Sequence, residues 1–121
     1  MRRIRSSGSV KAISLNRDEV LRRLAQISRE ALAAFPEAVE VRLIGSLASG
    51  THTGTSDIDL VILLDRSPEN PLEALRPYYL FFSKRLDVGV DILIGGPEPV
   101  AGMERALADS VLLASRRAEA P

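Results

Sequence analysis

The chain has 121 residues, of which 45% are hydrophobic and 26% charged, a balance typical of one globular domain and not of a disordered protein. Its 16 basic and 16 acidic residues cancel, which argues against a protein whose main partner is nucleic acid bound through its phosphates. No apolar run approaches the roughly 20 residues that span a bilayer, and the charged start lacks the apolar core of a secretory signal, so we expect a cytoplasmic protein without a membrane partner.

The first predicted element is a helix that follows a polar basic arm at residues 1–14. Asn16 has the chemistry of an N-cap, and Glu19 stands three residues later, as in a capping box. Apolar residues then recur at helical spacing until Pro36 ends the pattern. We interpret the excess of basic residues in this part of the chain as a solvated tail and helix face, with an arm that touches RNA or a protein as the alternative.

Two strands separated by a turn of small residues come next. Residues 39–44 alternate apolar and charged side chains, which predicts a strand with one covered face. Residues 45–55 are small and polar. The apolar run at 58–64 has the length of a strand and predicts burial on both faces.

The second predicted helix starts at Asn70, a capping residue that is followed by Pro71 in the first turn and by an acid at Glu73. Pro77 is expected to kink or break this helix, because proline lacks an amide hydrogen and clashes with the preceding turn. We interpret the aromatic cluster at 78–82 as core packing. An exposed apolar face that binds a partner is the alternative.

The last part of the chain predicts a third strand at 88–94, closed by glycines. Residues 100–114 fit a helix, although 111–113 fit a short edge strand equally well. The order of helices and strands is that of a single α/β layer fold. We place its domain at residues 15–117 and a frayed tail at 118–121.

Three aspartates interrupt the apolar strands. Asp57 and Asp59 open the second strand, and residues two positions apart project from the same face. Asp91 stands between apolar neighbours in the third strand. Such carboxylates repel one another, and each loses hydration at a large cost in free energy, unless a cation neutralises them. The sequence therefore predicts a divalent metal site.

The composition narrows the choice of metal. There is no cysteine, and the only histidine is His52, which we interpret as a solvated loop residue. Sites built from sulfur or from several histidines are therefore excluded, and Mg²⁺ or Mn²⁺ held by oxygen ligands is favoured. Mg²⁺ usually completes its shell with substrate phosphates. The turn from Gly45 to Gly50 offers backbone N–H groups, and the Ser46 hydroxyl, for such a phosphate.

Each of these features also has a purely structural interpretation. The glycine-serine turn alone is an ordinary exit from a strand, and Asp57 and Asp59 alone fit a strand cap and an acceptor of backbone hydrogen bonds. Other phosphate motifs do not fit, because the loop of nucleotide hydrolases requires a lysine where Thr51 follows Gly50, and the dinucleotide-binding glycine pattern is absent. The conjunction of turn and acids favours function.

Together these residues resemble the nucleotidyltransferase superfamily that includes DNA polymerase β, in its smallest form, the MNT-type domain often encoded beside a HEPN protein. The family pattern is Gly-Ser, ten intervening residues, Asp-x-Asp, and a third acid on a later strand. In this chain the pattern is Gly45-Ser46, residues 47–56, Asp57-Ile58-Asp59 and Asp91, with further matches at Ala48, Gly50 and Ser56.

The resemblance implies a nucleotidyltransferase fold, which is a mixed sheet of three to four strands with helices packed against it. It implies that Asp57 and Asp59 hold two Mg²⁺ ions, with Mn²⁺ as a substitute, and that Asp91 is a further metal ligand or a base toward the attacking hydroxyl. The implied reaction is displacement at the α-phosphate with release of pyrophosphate. The residues implied to bind the triphosphate of ATP, or of another nucleoside triphosphate, are Gly45, Ser46 and Ser56.

The resemblance also implies a partner. Larger relatives carry extra domains for the acceptor, and 121 residues leave no room for one, so we expect the acceptor to come from a second copy or from a docked protein. By analogy with MNT and HEPN pairs, the chain would be an antitoxin that transfers AMP to a HEPN-type protein. The alternatives are a non-catalytic antitoxin that acts by contact and, with less support, an aminoglycoside-modifying transferase.

The turn departs from the family pattern at two positions. Many relatives carry arginine where this chain has Leu47 and Ser49. Because two cations near a triphosphate are lost, we expect weaker nucleotide binding unless Arg42, Arg66 or a partner supplies charge.

Overall fold

The computed structural model describes residues 10–50, 58–86, 88–98 and 102–116. Among the helices of these residues, none is long and apolar enough to cross a membrane. The elements, in chain order, are α1 (Val10–Ala34), β1 (Ala38–Ile44), α2 (Gly45–Ser49), β2 (Ile58–Leu64), α3 (Pro71–Arg85), β3 (Val90–Gly95), α4 (Met103–Ala108) and β4 (Val111–Ser115).

The four strands form one mixed sheet in the order β3-β2-β1-β4. Strand β1 runs antiparallel to both β2 and β4, while β2 and β3 are parallel. The long connection through α3 gives the chain the crossover that a parallel pair requires. This arrangement confirms the predicted fold, a mixed sheet of up to four strands with helices packed against it.

The core lies between one face of the sheet and the pair of helices α1 and α3, which contact each other. The aromatic cluster of α3 divides between this core and solvent: Tyr78 and Phe82 are fully buried, whereas Tyr79 and Leu80 are about half exposed. The prediction of core packing is confirmed for the two residues that lie four positions apart on the inner face of the helix. The outer positions match the alternative, an exposed apolar face.

The predicted start of the first helix was wrong. Helix α1 begins at Val10 and continues through Asn16, which is therefore not an N-cap. Nothing from residue 10 to 15 is proline or glycine, and an asparagine inside a helix costs less than about 1 kcal/mol, so the helix can extend toward the N-terminus. The predicted boundary between arm and domain falls within α1.

Of the kink or break expected at Pro77, the break does not occur. Helix α3 is continuous from Pro71 to Arg85 with Pro77 inside it. Both Pro77 and Glu73, whose carbonyl loses its usual partner, are exposed, so water can satisfy that carbonyl. The start of α3 is as predicted, because the Asn70 side chain accepts a hydrogen bond from the Glu73 amide at 3.2 Å.

The sequence after β3 fits either a helix or a short edge strand, and the structure contains both. Helix α4 is short and ends at Ala108, and Val111–Ser115 forms β4 at the edge of the sheet. Helix α4 packs against β1. The alternating sequence of β1 predicts one covered face, but the polar face is partly covered as well. Glu40 on that face is only 6% exposed and forms an ion pair with Arg42 at 3.0 Å.

A partly buried polar contact joins α3 to the loop before β1. The Tyr78 hydroxyl donates a hydrogen bond of 2.5 Å to Glu37 Oε2. Burial, and then the bond to the Glu37 carboxylate, raise the pKa of Tyr78 far above its ordinary value. The folded protein therefore keeps this proton at a pH where the unfolded chain loses it.

This contact predicts a loss of stability at alkaline pH. Below about pH 10 both states keep the Tyr78 proton, and above it the free energy of unfolding falls by up to about 1.4 kcal/mol per pH unit from this group. Tyr78→Phe should lower stability at pH 7 by about 1–2 kcal/mol and make the alkaline decline shallower. Urea unfolding between pH 7 and 11.5 measures both effects. Tyr79→Phe, at an exposed position, is the matched control, and an equal alkaline slope in all three proteins would contradict the assignment.

Candidate functional site

Asp59 and Asp91 lie side by side on the two parallel strands. The register of β2 and β3 pairs Asp59 directly with Asp91, and residues paired in this way project to the same face from strands about 4.8 Å apart. Asp59 is half-buried and Asp91 is exposed. Their side chains are on the face opposite the α1–α3 core, because the next residues along each strand, Leu60 and Ile92, belong to that core.

Gly45 completes this end of the sheet. The last residue of β1, Ile44, pairs with Asp59, so the turn that follows β1 passes directly beside the aspartate. Gly45 has a φ of +83°, and a Cβ atom at this position would lie 2.5 Å from Asp59 Oδ2. Only glycine allows both the left-handed backbone and the close approach of the carboxylate.

The short helix α2 starts at Gly45. Its inner side chains, Leu47 and Ala48, are buried in the core. Its carbonyls are held from outside by α1: Arg17 Nε donates to Leu47 O at 2.9 Å, and Arg17 Nη2 donates to Ala48 O at 3.1 Å. Arg17 was not among the predicted site residues, because nothing in the sequence links two positions 30 residues apart.

The structure brings together only part of the predicted site. Gly45, Asp59 and Asp91 meet at one end of the sheet. The Ser46 backbone is in α2, whereas Ser56 and Asp57 lie outside the described residues. Within the described ranges, no group of three or more acidic or histidine side chains is placed to hold a metal ion, so the expected cluster of three acids remains a prediction.

The donor chemistry of the described residues fits a hard divalent cation. Two carboxylates that face the same way on adjacent strands provide several oxygen ligands, which Mg²⁺ and Mn²⁺ prefer. Among the described residues, no basic side chain forms an ion pair with Asp91. A cation bound beside the two strands would reduce the repulsion between the two carboxylates.

Arg42 and Arg66 were considered as sources of the positive charge that the turn lacks, but neither is well placed to supply it. Arg66 follows the far end of β2, roughly 20 Å along the strand from Asp59, and its side chain is 82% exposed near Asp65. Arg42 projects from the same face as Asp59, but its guanidinium is bound to Glu40. Arg17 is the nearest cation to the turn that the described hydrogen bonds identify.

Comparison with known proteins places these observations in a family. A model of the nucleotidyltransferase domain matches residues 22–116, and no curated protein matches. Among solved structures, a Sulfolobus solfataricus protein assigned to the nucleotidyltransferases is similar, with 24% identity, a TM-score of 0.67 and coverage of 93% of this chain and 95% of that one.

Two toxin-antitoxin structures are also similar. One, with AMP-PNP, has 20% identity and a TM-score of 0.62, and the other, a MntA-HpeT mutant, has 18% identity and a TM-score of 0.61. Each match covers 78% of this chain and 76% of the other. At these identities, the likeness establishes a shared fold.

The contact between Gly45 and Asp59 can be tested with a matched pair of substitutions. Gly45→Ala and Gly50→Ala both place a side chain at positive φ, which costs about 1–2 kcal/mol. A Cβ at Gly50, however, would have no described residue within 4 Å. We expect Gly45→Ala to destabilise the fold by about 1–3 kcal/mol more than Gly50→Ala, because the added methyl group displaces the Asp59 carboxylate. Urea unfolding measures this difference, and equal losses would contradict the close approach.

Proposed function

This chain belongs to the nucleotidyltransferase domain family, and we propose that it transfers a nucleoside monophosphate, AMP from ATP, to a hydroxyl group of a partner protein. The observation that carries the proposal is the direct pairing of Asp59 with Asp91 beside the Gly45 turn. Carboxylates close to a turn that can accept phosphate are the minimum that metal-dependent phosphoryl chemistry requires.

In this proposal Asp59 and Asp91, together with Asp57, hold the divalent cations, two Mg²⁺ ions or Mn²⁺ in their place. A bound cation would neutralise charge on the entering and leaving oxygens of the reaction. The position of Asp59 against the Gly45 backbone supports this assignment, since it keeps one carboxylate oxygen beside the phosphate turn. The residues proposed to bind the triphosphate are Gly45, Ser46 and Ser56.

The proposed step is an in-line displacement. The acceptor oxygen forms a bond to the α-phosphorus, the bond from that phosphorus to the bridging oxygen breaks, and pyrophosphate leaves with both electrons of that bond. Asp91, the more exposed of the two described acids, ligates a cation or takes the proton of the attacking hydroxyl at a carboxylate oxygen. Because Asp91 is exposed on β3, an outer strand of the sheet, this oxygen is accessible to a group from another chain.

The partner is proposed to be a HEPN-type protein, with this chain as its antitoxin. The support is the fold shared with two toxin-antitoxin structures, one of them with AMP-PNP and the other a mutant in which two aspartates two positions apart are replaced by glutamate. Asp57 and Asp59 have the same spacing in this chain. A cytoplasmic location follows from this role as part of the same proposal.

A second function, inhibition by contact without catalysis, is favoured by a different observation. The outer face of α3 exposes Leu72 at 77%, Tyr79 at 44% and Leu80 at 51%, and the turn carries Leu47 and Ser49 in place of the arginines of many relatives. Exposed apolar side chains grouped on one helix are typical of a protein interface.

Substitution of one carboxylate tests the transferase. Asp59→Asn keeps the size of the side chain and removes its charge. Transfer of label from α-labelled ATP to the protein encoded by the adjacent reading frame should therefore fall about 100-fold or more with Mg²⁺ present. Asp65→Asn, at the residue that follows the far end of β2, is the control and should transfer at the rate of the original protein. No labelling by the unsubstituted protein with any of the four nucleotides would overturn the proposal.

The same variant separates the two functions in cells. If transfer neutralises the toxin, Asp59→Asn loses protection although it still folds and binds the partner. If contact alone neutralises it, Asp59→Asn protects fully, whereas Leu72→Asp and Leu80→Asp lose both binding and protection because a charge on the interface is costly to bury. Growth of cells that express both proteins measures protection, and co-purification measures binding.

A further inference from the structure

We infer that Arg17 is a positioning residue of the nucleotide site, which holds the Gly45 turn in place by its two bonds to the end of α2. The expected effect of Arg17 on nucleotide binding rests on the proposed function. The hydrogen bonds from Arg17 to α2 do not depend on it. Arg17 precedes residues 22–116, the range matched by the family model. The family match therefore does not include Arg17, and the contact is known from the structure alone.

The two bonds satisfy carbonyls that the helix cannot satisfy itself. The last carbonyls of any helix lack partners within it, and α2 has only five residues. The guanidinium of Arg17 spans the carbonyls of Leu47 and Ala48 at 2.9 and 3.1 Å. Hydrogen bonds from a charged donor in a fixed fork are among the stronger and more directional ones in proteins.

Helix α2 depends on such outside contacts. A helix this short is not stable by itself, because the cost of its first turn is not repaid by further hydrogen bonds. Burial of the Leu47 and Ala48 side chains holds its inner side, and Arg17 holds the backbone of the same two residues. The side chains fix how deeply α2 sits, and the arginine fixes its rotation and its position along the sheet.

The position of α2 sets the geometry of the site, because its first residue is Gly45. The Gly45 backbone lies against Asp59 Oδ2, with no room for a methyl group between them. A shift of α2 therefore changes the distance between the phosphate turn and the carboxylate that the proposal assigns to the cation. Displacements of about 1 Å in catalytic groups reduce rates by up to about 100-fold.

Arg23 provides a matched control on the same helix. Its Nη2 donates to the backbone carbonyl of Arg85 at 3.1 Å, so it also joins α1 to another helix by one bond from guanidinium to carbonyl. That bond is to the end of α3, which does not contribute to the site. Arg17→Met and Arg23→Met each keep an apolar stem and lose charge and donors, while Arg17→Lys keeps the charge but not the fork.

The experiment combines hydrogen exchange, nucleotide binding and kinetics on these three variants. With Arg17→Met, backbone amides of residues 45–50 should exchange about tenfold faster than in the original protein, and the Kd for ATP with Mg²⁺ and the KM for ATP should rise about tenfold. Arg23→Met should leave all three quantities unchanged. Arg17→Lys should recover part of the loss, because an ammonium group can reach one of the two carbonyls.

The outcomes separate this inference from the proposed function. Exchange and binding in Arg17→Met equal to those in Arg23→Met would overturn the positioning role. So would a uniform rise in exchange over the whole chain in both Arg17 variants, since it would show a role in stability alone. If the original protein binds no nucleotide, the proposed function fails, and local exchange at residues 45–50 still decides whether Arg17 holds the turn.

Discussion

The site depends on one constraint, the register of β2 against its two neighbours. Strand β2 pairs with β3 on one side and with β1 on the other, and Asp59 is the residue that aligns with Asp91 in one pairing and with Ile44 in the other. Leu60 and Ile62, which alternate with the acid face, are fully buried in the core. A slip of one residue would turn Asp59 into the core and remove Leu60 and Ile62 from it, so hydrophobic burial maintains the alignment of the acids.

This alignment places two acidic side chains next to each other, which has a cost in free energy. Like charges directly opposite one another destabilise a sheet, and here they stand where the strands end and the chain turns away at Gly45. A cation at this position would offset the repulsion, so binding and stability are linked in the proposed function. Arginines bond to the backbone at both ends of β1: Arg17 bonds to the end of α2 beside the site, and Arg116 bonds to the Leu32 and Phe35 carbonyls before the start of β1.

The two functions considered use opposite sides of the molecule. The acids are on the face of the sheet away from α1 and α3, while the exposed side chains of α3, Leu72 and Leu80 among them, point outward from the helical layer. A partner that docks only on α3 therefore does not present a hydroxyl to Asp91. Transfer and contact are separable properties of this fold, and a protein could have one without the other.

Patterns within short segments were sufficient for much of this architecture. The bounds of β2 and the capped start of α3 follow from alternation, apolar runs and capping chemistry, because these depend on neighbours within a few residues. The same patterns missed the start of α1 and the continuity through Pro77, where local preferences were too weak to decide. The side-by-side placement of Asp59 and Asp91, and the contact of Arg17 with Leu47, arise from strand pairing and helix packing across long separations. No local signal encodes these contacts, since they exist only when the core has formed.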